Sequence, residues 1–221
     1  SNGKVEIKYM TAKEEDILTS TNLIQQGTVI DVLLNSLIVT ENVSVDELLI
    51  GDKNAIMVAA RILGYGKEYE FKYDDIEYTA DLTTLEPVDI DFTKFTKGKN
   101  EFEFTLPTSE RVVTFKLLTS GDEKNIDAET KALQKISKDN FSELTTRFKY
   151  IILSIDGKSD KKYINNFIDN EFLSRDSLEF RRHMISLTPD VDMSMKVSNN
   201  GEEIEVTIPV TPRFFWPDTR V

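Results

Sequence analysis

Few side chains of this sequence could perform acid–base or nucleophilic chemistry. The chain has one histidine, His183, which follows two arginines. A catalytic histidine needs an orienting carboxylate and a nucleophile within hydrogen-bond reach. Asp176 and Glu179 are near it in sequence, and Glu179 lies at the helical spacing for a simple ion pair or hydrogen bond. Because no Gly-x-Ser-x-Gly elbow supplies a serine, we interpret His183 as a surface histidine rather than a catalytic one.

The residue types that bind transition metals and form covalent intermediates are nearly missing. Because the chain has no cysteine, disulfides, thiolate metal sites and cysteine nucleophiles are all excluded. A single histidine likewise excludes any metal site that needs several imidazoles. The sequence therefore predicts no catalytic residue, no metal site and no cofactor site, and it favours a protein that is not an enzyme.

One segment carries fragments of two ligand-binding loops. Gly157-Lys158-Ser159 resembles the end of a phosphate-binding loop, but that loop needs a glycine five positions earlier, where Ile152 stands. A calcium loop beginning at Asp156 needs a bidentate glutamate at its twelfth position, which is Phe167. We therefore interpret the segment as a turn that links two elements.

Two pairs of acidic residues, Asp89 with Asp91 and Asp190 with Asp192, could each hold two carboxylates together. In an alternating strand, residues two positions apart lie on the same face. Since the intervening residues are apolar, we expect the acidic face to be exposed to solvent. These carboxylates are thus predicted to be solvated rather than catalytic.

The end of the chain is unusually aromatic: Phe214, Phe215, Trp216 and Pro217 are consecutive. Three adjacent aromatic side chains cannot all point the same way in a strand. One interpretation is that this segment folds back and closes the protein's own core. The other is that it fills a pocket on a partner, because Trp and Phe are common anchors at interfaces. Both alternatives stay open, and the four residues are the predicted partner-binding residues.

Composition and charge restrict the class of partner. The 221 residues are 39% hydrophobic and 30% charged, which is typical of a globular protein. The formal net charge is -12, so the chain should repel a phosphate backbone, and no basic patch with interleaved aromatic residues offsets this. The apolar runs are too short to span a bilayer, and the first residues contain no apolar targeting segment. We expect a cytosolic protein that binds neither nucleic acid nor membrane.

The first third of the chain has mostly helical signals. Residues 4–9 alternate between polar and apolar, which predicts a strand. Thr11 and Glu14 then form a capping box that should begin a short helix. A second helix is predicted from about Thr28, and the run 55–63 predicts a largely buried helix.

The middle of the chain changes to period two. Residues 69–118 alternate and are predicted to form one antiparallel meander, with Asp74 and Asp75 in its first turn. Helical patterns return in residues 127–187, and residues 193–208 read as a hairpin. The predicted class is α+β: N-terminal helices, a central antiparallel sheet, and a C-terminal helical part with a terminal β-hairpin.

These patterns divide the sequence into three parts. Residues 1–68 form a helical part with a leading strand, residues 69–118 the meander, and residues 119–221 the helical part with the hairpin and the aromatic tail. The three parts could also form one continuous domain.

Several blocks of residues, in the same order, resemble a known family. They are residues 10–20, 48–56 and 61–69, with shorter blocks at 81–82, 105–107, 115–118, 154–157 and 214–217. Together they resemble the baseplate proteins of contractile-tailed phages, the family of T-even-type baseplate and hub-assembly proteins. The resemblance spans almost the whole chain.

This resemblance implies a structural component of a phage tail baseplate that binds neighbouring tail proteins, in an assembly that could be a symmetric ring. It implies a place in the virion after assembly in the host cytoplasm. Some relatives carry cysteine pairs that look like a zinc ribbon, and since this chain has no cysteine, zinc is not carried over. Asp52 and Arg61 lie in the matching blocks and could pair with each other or bind backbone between elements.

Two alternatives to a permanent baseplate component remain. The first is an assembly chaperone that holds a hub or tail protein and is missing from the mature particle. The second is an uncharacterised hydrolase, against which the missing catalytic motifs and the single histidine count.

Overall fold

The computed structural model describes residues 4–136, 142–199, 201–210 and 214–215. These residues form α-helices and small antiparallel sheets, which confirms the predicted α+β class. The helices are α1 Ala12–Leu18, α2 Thr21–Gln26, α3 Val29–Leu37, α4 Ile50–Tyr65, α5 Ser120–Ile136, α6 Glu143–Ile151, α7 Lys161–Asn170 and α8 Ser174–Leu187. The strands are β1 Glu68–Tyr73, β2 Ile76–Asp81, β3 Phe102–Thr105, β4 Val112–Phe115, β5 Ile152–Ile155, β6 Ser194–Asn199 and β7 Glu202–Thr207.

The chain folds into two compact units, each built from separated stretches. The central unit contains Asp46–Ile50 and Asp89–Pro189. The terminal unit contains Asn2–Val45, Gly51–Val88 and Asp190–Val221. The divisions expected from the sequence, after residues 68 and 118, lie where the pattern changes between helix and strand. The compact units are divided differently, because each combines helices and strands from distant parts of the chain.

The prediction of a single meander over residues 69–118 is wrong. β1 and β2 form a two-stranded sheet of their own, while β3 and β4 belong to a three-stranded sheet in the order β3-β4-β5. The intervening segment contains two 3-10 turns, in which the Asp81 and Asp91 side chains accept hydrogen bonds from the amides of Thr83 and Thr93. These local acceptors compete with strand pairing, so the alternation around residue 90 does not form a strand.

The central unit has an aromatic core between its sheet and its helices. α6 packs against α5, α7 and β5. The ring of Phe115 on β4 meets that of Phe180 on α8 edge to face, with 5.0 Å between centroids, and Phe172 lies 5.1 Å from Phe148. Burial of each such side chain contributes about 1.5–3 kcal/mol, so these rings dominate the stability of the unit.

A buried carboxylate connects the β3–β4 loop to α8. Asp176, in the first turn of α8, is 0% exposed and accepts hydrogen bonds from the amides of Thr108 at 2.7 Å and Ser109 at 3.0 Å. Burial raises the pKa of Asp176, but the hydrogen bonds from Ser109 and Thr108 lower it by more, so the net shift is downward. The group is therefore held as a carboxylate.

The terminal unit combines helices with two hairpins. α1, α2 and α3 pack against one another, and α3 supplies fully buried Leu33, Leu34 and Leu37. β1 pairs with β2 and β6 with β7, both antiparallel. The strand predicted over residues 4–9 is reduced to a single bridge between Ile7 and Ile38, because its partner is the short segment that follows α3 rather than a strand.

The predicted capping box at the start of α1 is confirmed. The Glu14 carboxylate accepts hydrogen bonds from the Thr11 amide at 2.9 Å and the Thr11 hydroxyl at 2.6 Å, and from the Lys8 ammonium at 2.8 Å. The hydrogen bonds from Lys8 and Thr11 lower the pKa of Glu14 from 4.5 to about 2. Glu14 thereby fixes the chain before α1 to the first turn of that helix.

Replacement of Glu14 by Gln should lower the free energy of unfolding at neutral pH, because an amide cannot keep the charge-assisted bonds to Lys8 and Thr11. The folded-state pKa lies below the unfolded one, so the carboxylate's contribution is complete above pH 4.5 and is lost as the pH falls toward about 2. Urea unfolding at a series of pH values should show the gap between wild type and variant closing over this range. Glu15→Gln, at the exposed neighbouring position, is the control, and a Glu14→Gln gap that persists at pH 2 would contradict this role.

Replacement of Asp176 by Ala should destabilise the central unit, because two amides of the β3–β4 loop lose their acceptor. A buried donor left without a partner costs about 1–3 kcal/mol. Asp176→Asn retains one acceptor oxygen and should fall between wild type and the alanine variant. Denaturant unfolding measures the free energies of unfolding of the wild type and the two variants. Equal values for all three proteins would show that the Asp176 carboxylate does not hold the loop.

Candidate partner-binding surface

The structure describes Phe214 and Phe215, two of the four residues of the aromatic tail. Phe214 is 0% exposed and Phe215 is 1% exposed, and their rings meet edge to face at 5.4 Å. Phe214 also meets the ring of Tyr69 on β1 edge to face at 4.9 Å. These two residues pack in the core of the terminal unit, as the first of the two interpretations of the tail has it. Trp216 and Pro217 lie outside the described residues.

A buried arginine supports the tyrosine against which the tail packs. Arg61 of α4 donates from Nη1 to the Gly66 carbonyl at 2.8 Å and from Nη2 to the Glu68 carbonyl at 3.0 Å. Its guanidinium also lies 5.5 Å from the ring centroid of Tyr65 and 5.9 Å from that of Tyr69. Arg61 therefore binds backbone between α4 and β1, which was one of the two roles expected of it.

The other role expected of Arg61, pairing with Asp52, is not the one observed. Asp52 is exposed in the first turn of α4, whereas the Arg61 guanidinium donates hydrogen bonds to two backbone carbonyls beyond the other end of the helix. Burial lowers the pKa of Arg61, and the nearby Tyr69 and Tyr65 act in the opposite direction. The side chain is thus a structural element of the terminal unit.

His183 lies against aromatic rings in the central unit. Its imidazole stacks on Phe104 with 4.5 Å between centroids and meets Phe115 edge to face at 5.9 Å. Glu179, the nearest carboxylate along the helix, pairs instead with Arg182 at 2.8 Å. Burial, together with the positive charge of Lys94, lowers the pKa of His183, so the ring is neutral at pH 7.

His183 also borders an open depression of about 440 Å³ in the central unit. Its charged lining is mixed in sign, with two lysines, Lys94 and Lys99, and two glutamates, Glu101 and Glu103. This arrangement provides neither a carboxylate that orients the imidazole nor a concentration of one charge that would hold an ionic substrate.

The segment with the loop-like motifs forms the turn that was predicted. Asp156 and Gly157 both have positive φ, at 50° and 77°, between β5 and α7. The Asp156 carboxylate accepts from the Val112 amide at 2.8 Å and pairs with Arg111. The hydrogen bond from Val112 is the main reason why the pKa of Asp156 is lowered. The residues that resemble a phosphate or calcium loop therefore hold the turn to β4.

Asp91, Asp190 and Asp192, three of the four paired acidic residues, accept hydrogen bonds. Asp190 accepts from the Asn54 side chain at 2.9 Å, and Asp192 accepts from the Ser194 amide at 2.9 Å. The hydrogen bonds to Thr93 and Ser194 lower the pKa values of Asp91 and Asp192, respectively. A general acid needs a raised pKa, so Asp91 and Asp192 are unsuited to that role.

Exposed apolar side chains were not singled out from the sequence. In the central unit Phe92 and Ile185 are largely exposed. In the terminal unit Tyr73 and Ile76 form the last pair of the β1–β2 hairpin and are 40% and 38% exposed. The alternating run of β1 was the signal in the sequence for this exposed pair. It places aromatic residues at 69, 71 and 73, and only the first two are buried in the core of the unit.

Neither a metal cluster nor a membrane span is found in the part of the chain that the structure describes. Within residues 4–136, 142–199, 201–210 and 214–215, no three His, Cys, Asp or Glu side chains come together as metal ligands. Over the same ranges, no helix has the length and hydrophobicity needed to cross a bilayer.

The comparisons with known proteins identify the family. The family model described as T4 bacteriophage base plate protein matches residues 1–216, which includes nearly all of both compact units. No curated protein sequence and no solved structure matches the chain significantly. The resemblance found in the sequence is thereby confirmed, and the chain belongs to the T4 bacteriophage base plate protein family, as a component of a phage tail baseplate.

Proposed function

We propose that this protein is a permanent structural component of the baseplate, which binds neighbouring tail proteins and catalyses no reaction. The observation that carries the proposal is the extent of the family match, residues 1–216, because it includes both units rather than one module. The protein would be assembled into the tail in the host cytoplasm and occupy a position in a symmetric ring. It would bind proteins rather than nucleic acid, in keeping with its net charge of -12.

The chemistry of its charged groups supports a non-enzymatic role. Asp81, which borders an open depression of about 210 Å³ in the terminal unit, has its pKa lowered to about 2 by Lys67 and Thr83. The Asp176 carboxylate serves the β3–β4 loop, and the His183 ring lies on Phe104. Each of these three groups thus makes a structural contact, and none of the three is in the protonated form that a general acid needs.

The protein composition of the mature particle tests whether this protein is a permanent component of the baseplate. Quantitative mass spectrometry of purified phage should find this protein in a fixed ratio to other tail proteins, at a multiple that matches the symmetry of the baseplate. Particles made without it should lack infectivity. If it is required for infectivity but missing from the particle, it is an assembly chaperone and the proposal of a permanent component fails.

The aromatic tail requires two different substitutions, because the structure describes Phe214 but not Trp216. Phe214→Ala should lower the free energy of unfolding by about 3–5 kcal/mol, since it removes a fully buried ring from the terminal unit. We propose that Trp216 and Pro217 contact a partner, so Trp216→Ala should retain the wild-type unfolding midpoint but enter particles less efficiently. Calorimetry and competitive incorporation measure the two effects. Loss of stability in Trp216→Ala with unchanged incorporation would place this residue in the protein's own core.

A further inference from the structure

We propose that the tip of the β1–β2 hairpin, residues 73–76, inserts into a concave site on another tail protein that has an apolar floor and a rim of Lys and Arg. This inference rests on the proposed function for the identity of the partner as a tail protein. Three independent features of the tip carry it: an exposed apolar pair, a net negative charge, and an unfavourable choice of turn residues.

The apolar face of the hairpin continues beyond the core of the terminal unit. Nearer its base, Tyr69 and Phe71 are almost fully buried, and so is Ala80 opposite Tyr69. At the tip the facing residues are Tyr73 and Ile76, and both are substantially exposed. Tyrosine is enriched among the residues that dominate binding energy at interfaces, so this pair has the chemistry of an interface anchor.

The net charge at the tip is negative. Residues 72–77, at the end of the hairpin, contain three acidic side chains and one basic side chain, a net charge of −2. The single cation, Lys72, pairs across the hairpin with Glu77 at 3.2 Å. Asp74 and Asp75 are both exposed at the end of the hairpin. Repulsion among these groups is reduced when a basic partner surface covers them, which fixes the sign of the partner's charge.

The two residues of the β1–β2 turn, Asp74 and Asp75, are not the types that this turn conformation prefers. Asp74 and Asp75 have φ of 48° and 60°, the left-handed region in which two-residue hairpin loops strongly prefer Asn-Gly or Asp-Gly. The β6–β7 hairpin of the same unit has Gly201, with φ of 88°, in its turn. Two adjacent aspartates add strain at the second position and like-charge repulsion. Backbone strain of this kind concentrates at functional sites, where the residue type is needed for something other than folding.

The double substitution Asp74→Asn with Asp75→Gly separates folding from binding. It introduces the preferred turn residues and removes both charges, so it should raise the midpoint of thermal unfolding. Equal amounts of isotope-labelled variant and unlabelled wild type are added to an extract of cells infected with phage that cannot make this protein. In purified particles the variant should be depleted at least about tenfold relative to wild type, and Tyr73→Ser should be depleted similarly.

The matched control is Glu110→Gly in the β3–β4 loop of the central unit. Glu110 has φ of 56° and is exposed, so this change also relieves strain and removes a negative charge. It should enter particles as well as wild type. Equal incorporation of the wild type and the stabilised double variant would overturn the inference about the hairpin, while failure of wild type to enter particles would overturn only the permanence of the protein.

A second measurement tests the tip whether or not the protein stays in the particle. A photo-crosslinking amino acid is placed at position 75 or, as the control, at position 110, and crosslinks are made in the same extract during assembly. Position 75 should give a dominant crosslink to one tail protein, in a peptide rich in Lys and Arg, and position 110 should not. A crosslink to another copy of this chain, a crosslink to an acidic peptide, or no dominant crosslink would each contradict the inference.

Discussion

Asp176 and Arg61 have the same physical role in the two units: each is a buried charge that satisfies backbone groups where two elements meet. Asp176 accepts from two amides of the β3–β4 loop, and Arg61 donates to two carbonyls between α4 and β1. A buried charge is costly unless it is hydrogen-bonded, so these contacts constrain the geometry around them. Tyr69, beside Arg61, then provides the surface on which Phe214 packs.

Three further carboxylates have comparable structural roles. Asp156 holds its turn to β4, Glu14 holds the chain before α1, and Asp91 caps a 3-10 turn. In each case hydrogen bonds to the ionised form lower the pKa of the carboxylate. The proposed function therefore rests on surfaces, such as the hairpin tip, where apolar and acidic side chains are exposed together.

The sequence predicted the elements that depend on local signals. The capping box at Thr11, the helix from Thr28 and the hairpin with Gly201 in its turn are all present, and so is the α+β class. Where it failed, a distant partner decided the outcome. Residues 152–155 continue a helical pattern, yet they form β5 because they pair with β4, about forty residues earlier.

The candidate site was less predictable than the fold, for the same reason. Burial of Phe214 depends on Tyr69, which is 145 residues away in the sequence (214 − 69), so no local pattern could decide between the two interpretations of the tail. Asp176 lies 68 residues from Thr108, and its role as an anchor had no sequence signal. By contrast, the turn at Asp74 and Asp75 was predicted, but its exposure and φ values required the structure.

The central claim is that this protein is a permanent part of the baseplate, where it fits its surfaces to other baseplate proteins. Cryo-electron microscopy of the assembled tail tests it most directly, because both units can be placed in the density without assuming any partner. We predict density for this chain at every symmetry-equivalent position, with Tyr73 and Ile76 enclosed by another protein and Phe214 in its own core. A complete, infectious baseplate with no density for this chain would contradict the claim.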